Sequence, residues 1–179
     1  KMREWLARTY TTGKTEPKLT ELLAKNLITE KEAAEIRKGK NDGRPSIAPS
    51  KWMYWNVHID GLEYIHDLIV EREGVFKECI ESIKMAKILG YQVASNATIY
   101  KETDMGEIEK MFDFLSTLGV DGHTITPGYE YDAAKKDMIK RLNKQPEDFF
   151  LTRKFTREKF KDIVAWGQKY TFFGSPIYL

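Results

Sequence analysis

The sequence has little cysteine: Cys79 is the single thiol among 179 residues. One thiol excludes an internal disulfide framework and any multi-cysteine metal site contained within the chain, so we expect a reducing, cytoplasmic setting. No apolar run approaches the roughly 20 residues that a membrane-spanning helix needs. The N-terminus also lacks the apolar core of a signal peptide. These absences predict neither a disulfide-stapled nor a transmembrane protein.

The sequence also lacks an excess of charge of one sign. Its 29 basic and 27 acidic side chains give a net charge of +2, so nothing predicts binding to nucleic acid. With three histidines and one cysteine, we expect no metal site within the chain. A content of 41% hydrophobic residues suffices for one globular domain. The start at Lys1 and the apolar end at Leu179 lead us to expect cuts in a longer protein.

The order of periodic segments predicts an α/β fold. Residues 1–44 form a charged, helical segment, with a capping box from Thr29 to Glu32 and a stop at Gly39. Strand patterns at 53–60, 91–100 and 120–128 then alternate with helical ones, which is typical of βαβ units on a parallel sheet. Further predicted features are a helix at 75–89, a helix from Asp104 to Gly119, a polar loop at 128–151, a last helix opening at Thr156, and a further strand in the closing residues.

The strands have one apolar and one polar face. In "WMYWNVHIDG" (52–61), alternation places Asn56, His58 and Asp60 on one face, just before a glycine. Asn96 and Thr98 occupy the polar face of the next strand. A doubly wound sheet would bury both faces under helices, whereas a barrel covers one face and can line a ligand cavity with the other. The pattern therefore favours a barrel or partial barrel, with chemistry near the carboxyl ends of its strands.

Several motifs in order resemble one family: "NVHIDG", "SNATIY", "MFDFLSTLGVDG", "TITPGYEY" and "FFGSPIYL". Together they resemble the second half of the radical S-adenosylmethionine (radical SAM) enzymes of hopanoid biosynthesis, the adenosyl-hopene transferases. The resemblance covers residues 45–179. It implies the last three strands of an incomplete, TIM-barrel-like (βα) partial barrel. Residues 1–44 do not match, and we interpret them as an enlarged connection between two strands.

The resemblance also implies an activity that this chain cannot perform alone. The family transfers a 5′-deoxyadenosyl group from S-adenosylmethionine to a hopene, using a [4Fe–4S] cluster held by a CxxxCxxC loop. That iron–sulfur loop is absent here and is expected from a parent chain. The implied partners are S-adenosylmethionine, the polycyclic hopene and an electron donor protein. The implied location is cytoplasmic, and a lipid substrate would bring the enzyme to the membrane surface.

The predicted cofactor contacts are the polar side chains of the first two strands. In related radical enzymes the first of these strand ends contacts the ribose or methionine part of the cofactor, and the second would meet its methionyl end or the substrate. The alternative interpretation is a polar barrel core whose groups satisfy one another. The five residues are Asn56, His58, Asp60, Asn96 and Thr98.

A second candidate group, Tyr129, Glu130 and Tyr131, follows the third strand. Aromatic rings at a barrel mouth suit a flat, apolar substrate, although half-buried rim tyrosines are an equal alternative. His66 is expected in a loop, with a minor substrate-side role left open. His123 and Cys79 are expected to be structural.

No residue in the sequence is singled out as catalytic. Two other functions stay open: a non-catalytic α/β binding module, and a radical SAM enzyme with another substrate.

Overall fold

The computed structural model describes residues 16–38, 49–130 and 145–173. Contacts divide the chain into two compact units, one within Lys1–Trp55 and Lys77–Val93, the other within Asn56–Phe76 and Ala94–Leu179. The predicted boundary after residue 44 and the helix stop at Gly39 lie outside the described residues. Both stay predictions.

Two helices, α1 (Glu16–Ala24) and α2 (Glu30–Arg37), lie within the segment predicted to be helical. The predicted capping box is also confirmed. The Thr29 hydroxyl accepts the Glu32 N–H at 3.2 Å, and the Glu32 carboxylate accepts the Thr29 N–H at 2.8 Å. These bonds satisfy two N–H groups that the first helical turn would otherwise leave without partners. The apolar faces of the two helices bury Leu19, Leu22, Ala33 and Ile36.

The strands β1 (Tyr54–His58), β2 (Gln92–Ile99) and β3 (Gly122–Pro127) form one sheet in sequence order. The helices α3 (Glu63–Ile69), α4 (Val75–Ile88) and α5 (Met105–Thr117) alternate with them. This arrangement confirms the predicted α/β class with a parallel sheet. Whether the sheet belongs to a partial barrel stays a prediction.

The register of the sheet places like side chains beside one another. Asn96 of β2 pairs with Thr124 of β3, and Thr98 pairs with Thr126. On the opposite face, His123 of β3 stacks on Phe112 of α5, with ring centroids 4.1 Å apart. One face of the sheet therefore packs on a helix while the other carries amide and hydroxyl groups, as the alternation predicted.

The last helices differ from the prediction at their ends. The polar segment at 128–151, predicted to be loop-like, contains the short helix α6 (Pro146–Phe149). Helix α7 (Arg153–Trp166) begins after Thr152, whose extended backbone and hydroxyl cap it, and not at Thr156. Thr156 is buried one turn inside the helix and donates its hydroxyl to the Thr152 carbonyl at 2.9 Å. Threonine is favourable at a cap but also occurs inside a helix when its hydroxyl bonds back in this way.

The residues after α7 were predicted to begin a further strand, and they make one strand-like contact with β3. Phe172 forms a single parallel bridge with His123. The His123 N–H donates to the Thr171 carbonyl at 2.8 Å, and the Phe173 N–H donates to the His123 carbonyl at 2.8 Å. The free edge of β3 is thus partly covered.

Candidate functional site

The site is built where β1 ends and turns into α3. Gly61 makes this turn possible, because a Cβ at this position would lie 2.7 Å from the Cγ2 of Ile65. Because of this close approach, the first turn of α3 packs against the end of the strand. As a result Asp60, the last polar residue of the strand pattern, and His66, on the helix, lie within hydrogen-bonding distance.

Asp60 is the buried centre of the site, with only 3% of its surface exposed. Its Oδ1 accepts the backbone N–H of Thr98 at 2.8 Å, and its Oδ2 lies 2.6 Å from the Nε2 of His58. Burying a carboxylate is costly unless its oxygens are hydrogen-bonded. The two bonds offset that cost and join the end of β1 to β2.

The His58 imidazole contacts Asp60 through its Nε2 and is partly open to solvent. Its side chain is 48% exposed. The hydrogen bond to Asp60 raises the pKa of His58 above its ordinary value, and partial burial opposes this only in part. A raised pKa favours the protonated, positively charged form of the ring. His58 can therefore donate a charge-assisted hydrogen bond or exchange a proton at the polar sheet face.

His66 is in helix α3, so the prediction of a loop position is wrong. Its ring is 1% exposed, and its Nδ1 accepts the backbone N–H of Asp60 at 3.3 Å. Burial lowers the pKa of His66, which favours the neutral ring, and the accepted hydrogen bond assigns its proton to Nε2. That buried Nε2 has no hydrogen-bond partner among the residues that the structure describes. The loop prediction failed because α3 begins without a capping side chain, so the sequence carries no signal for the start of this helix.

Asn96 supplies a buried acceptor next to these groups. Its carbonyl accepts the Ile59 N–H at 2.9 Å, which in a parallel ladder places its side chain on the same face as His58. Within the described ranges, its Oδ1 is buried and has no hydrogen-bond partner. A buried acceptor without a donor costs free energy. A ligand hydroxyl or ammonium group, or a water molecule, would satisfy it.

The structure thus joins three of the five predicted strand residues by hydrogen bonds and adds a fourth by register. His58, Asp60 and Thr98 are bonded directly, Thr98 through its backbone N–H. Asn56 is exposed on β1, two residues before His58.

The predicted loop residues follow β3. Gly128 fits there because a Cβ would come within 2.5 Å of the Tyr100 ring, and its N–H donates to the Ile99 carbonyl at 2.8 Å. Tyr129 and Glu130 leave this tight turn with exposed side chains. Tyr131 lies outside the described residues. No contact described by the structure tests a role of these residues in substrate binding.

His123 lies on the face of the sheet opposite the polar one, where it stacks on Phe112. The His123 ring is 2% exposed, its Nδ1 is 2.7 Å from the Ser95 hydroxyl, and burial lowers its pKa to about 4. This environment, a buried ring hydrogen-bonded to a serine, confirms the prediction that His123 is structural. Cys79 is half-buried on α4.

The described residues contain no group of three or more His, Cys, Asp or Glu side chains that could hold a metal ion. With Cys79 as the one thiol of the sequence, the residues of this chain do not fit a [4Fe–4S] cluster. Among the helices in the described ranges, none is long and apolar enough to cross a membrane.

Comparison with known proteins identifies no family for this chain. No family model matches the sequence, and no curated protein matches it. The likeness to the adenosyl-hopene transferases therefore rests on the sequence motifs alone.

Proposed function

We propose that this chain is the second half of a radical SAM enzyme of the adenosyl-hopene transferase type, and that its polar sheet face binds S-adenosylmethionine. The observation that carries the proposal is the polar face itself. It lies opposite the helix-packed face and ends in a hydrogen-bonded histidine and carboxylate, His58 and Asp60. A sheet that only formed a core would gain more from apolar side chains at these positions.

The strand order supports the barrel part of the proposal. In a (βα) barrel, successive parallel strands are neighbours and the connecting helices lie on the outside. Here β1, β2 and β3 are neighbours in sequence order, and α5 packs on one face through Phe112. Ligands of such folds bind at the carboxyl ends of the strands, where His58 and Asp60 lie.

The chemistry of the polar face fits the cofactor. S-adenosylmethionine presents ribose hydroxyls and an ammonium group as donors, and a carboxylate as an acceptor. The Oδ1 of Asn96, which has no partner in the part of the chain that the structure describes, would accept from donors of this kind. The protonated imidazole of His58 would donate a hydrogen bond to the carboxylate acceptor. These side chains would bind and orient the cofactor and exclude water from it, which is the protein's usual share in cofactor chemistry.

The iron–sulfur cluster belongs outside this chain in the proposal, since these residues do not fit it. We therefore assign no step of the reaction to a residue of the polar face. The hopene substrate is proposed from the family resemblance, with Tyr129, Glu130 and Tyr131 as its candidate contacts.

The proposal is tested with the protein made from the full reading frame. We expect a CxxxCxxC loop in that frame, a broad absorbance near about 400 nm after anaerobic reconstitution, and adenosylation of hopene but not of an unrelated polyprenoid. A reading frame without the loop contradicts the enzyme proposal. Binding of S-adenosylmethionine without a cluster would favour the non-catalytic binding module.

The role of the polar face is tested by calorimetric titration of the same protein with S-adenosylmethionine. Asn96→Ala removes the buried acceptor, and we expect the affinity to fall about tenfold, the usual cost of one good hydrogen bond. Thr117→Ala, at an exposed position of α5, is the control and should bind like the wild type. Equal affinity of all three proteins would contradict cofactor binding at this face.

A further inference from the structure

We infer that Asp60 is a positioning residue, which acts on a ligand of the polar sheet face only through His58. The inference rests on the proposed function and assigns separate roles to two predicted contact residues. Asp60 is 3% exposed, and each of its carboxylate oxygens has a protein partner. The imidazole of His58 is about half exposed at the same strand end. A ligand therefore reaches the ring and not the carboxylate.

The carboxylate fixes the ring in two respects. Its Oδ2 accepts the proton on His58 Nε2 at 2.6 Å, which sets the tautomer of the neutral ring and the direction of its other nitrogen. Its Oδ1 is itself held by the Thr98 N–H of the neighbouring strand at 2.8 Å. Because one end of this chain of bonds is a backbone group, the orientation of His58 is tied to the register of the sheet. Such outer partners commonly orient a histidine that makes the actual contact.

His66 completes the support from the helix side. The Asp60 N–H donates to its Nδ1 at 3.3 Å, so the N–H and both carboxylate oxygens of Asp60 all have partners inside the protein. This bond requires Nδ1 to be unprotonated, and burial lowers the pKa of His66 in that direction. The backbone of Asp60 is thereby held from α3, while its side chain is held from β2.

A double-mutant cycle on S-adenosylmethionine binding separates this role from direct contact. His58→Gln removes the imidazole, and Asp60→Asn keeps the size of the side chain but removes its charge. We expect each variant of the full-reading-frame protein to bind about tenfold more weakly. The double variant should bind no more weakly than His58→Gln, because Asp60 has no other route to the ligand. Multiplied losses, about a hundredfold in total, would show that Asp60 contacts the ligand itself and would overturn the inference.

The titration of His58, followed by NMR without ligand, gives a readout that a purely structural role would not move. Asp60→Asn should lower the pKa of His58, whereas Asp162→Asn, an exposed site on α7, should leave it unchanged. An unchanged titration of His58 in Asp60→Asn overturns the inference, whether or not the wild type binds S-adenosylmethionine. Failure of the wild type to bind S-adenosylmethionine would instead contradict the proposed function. If Asp60→Asn does not fold, His58→Gln still tests the inference, because this substitution is at a half-exposed position. Wild-type affinity for S-adenosylmethionine in His58→Gln would show that the ligand does not contact the ring.

Discussion

The core histidine His123 should make the protein lose stability as the pH falls from neutral to about 5. Its ring is 2% exposed, lies against Phe112 with centroids 4.1 Å apart, and accepts or donates one hydrogen bond at the Ser95 hydroxyl, 2.7 Å away. Protonation would place a positive charge in this buried contact with an aromatic ring. Burial accordingly lowers the pKa of His123 from 6.5 to about 4.

The sign and size of the effect follow from proton linkage. A lowered folded-state pKa means that the unfolded chain binds the proton first, so stability falls with pH between 6.5 and about 4. A pH of about 5 lies about 1.5 units below the pKa of histidine in the unfolded chain. Each pH unit in this range changes the free energy of unfolding by about 1.4 kcal/mol. The free energy of unfolding should therefore drop by about 2 kcal/mol through His123. His58, with a raised pKa, contributes in the opposite direction, because its stabilising charge is present below 6.5 and lost as the pH rises.

Urea unfolding of the wild type and of His123→Asn at neutral pH and at about pH 5 isolates this contribution. Asparagine keeps a polar group near the position of Nδ1 and its partner Ser95, but it cannot be protonated in this range. The variant should be less stable at neutral pH, because it loses the ring contact with Phe112, yet it should lose about 2 kcal/mol less on acidification. His58→Asn, as the control, should lose more than the wild type does. An equal loss in the wild type and in His123→Asn would refute the assignment of the effect to His123.

Three further substitutions test the packing of the helices, the sheet and the turn after β3. Phe112→Ala removes a fully buried ring that contacts four aromatic side chains, and thermal unfolding should show a loss of about 3–5 kcal/mol, against less for the half-buried Phe114→Ala. Thr29→Ala breaks the capping box and should cost about 1 kcal/mol in the same measurement, whereas the exposed Thr20→Ala should not. Gly128→Ala places a Cβ within 2.5 Å of Tyr100, so hydrogen exchange at the amide of Leu151, which donates to the Gly128 carbonyl, should become faster; unchanged exchange would contradict the close packing.

The regular parts of the fold could be predicted because their signals are local. The capping box needs two side chains three residues apart, and Thr29 and Glu32 form it as expected. The two faces of β1 and β2 follow from a period of two residues, which the sequence shows directly. The start of α7 was misplaced because Thr152 and Thr156 are both possible caps, and only the backbone of Thr152 adopts the extended conformation that a cap needs.

The bond between Asp60 and strand β2 could not be predicted, because it joins residues far apart in the sequence. The Asp60 carboxylate meets a backbone N–H 38 positions later, and no periodicity encodes that contact. The partnership with His66 depends on how sharply the chain turns at Gly61, which the sequence marks only by the glycine itself. Alternation therefore predicted that His58 and Asp60 share one face, whereas the partner of Asp60 on β2 follows only from the register of the two strands.

The position of Asp60 also explains why this strand end can be both buried and polar. A carboxylate with 3% exposure is tolerated because a backbone N–H and an imidazole satisfy its oxygens. The same bonds leave His58 as the group that faces outward, with a raised pKa. Asn96, beside it, has a buried oxygen without a donor in the described part of the chain. The strand end therefore satisfies its innermost charge completely, while the imidazole of His58 is about half exposed and the amide oxygen of Asn96 lacks a donor among the described residues.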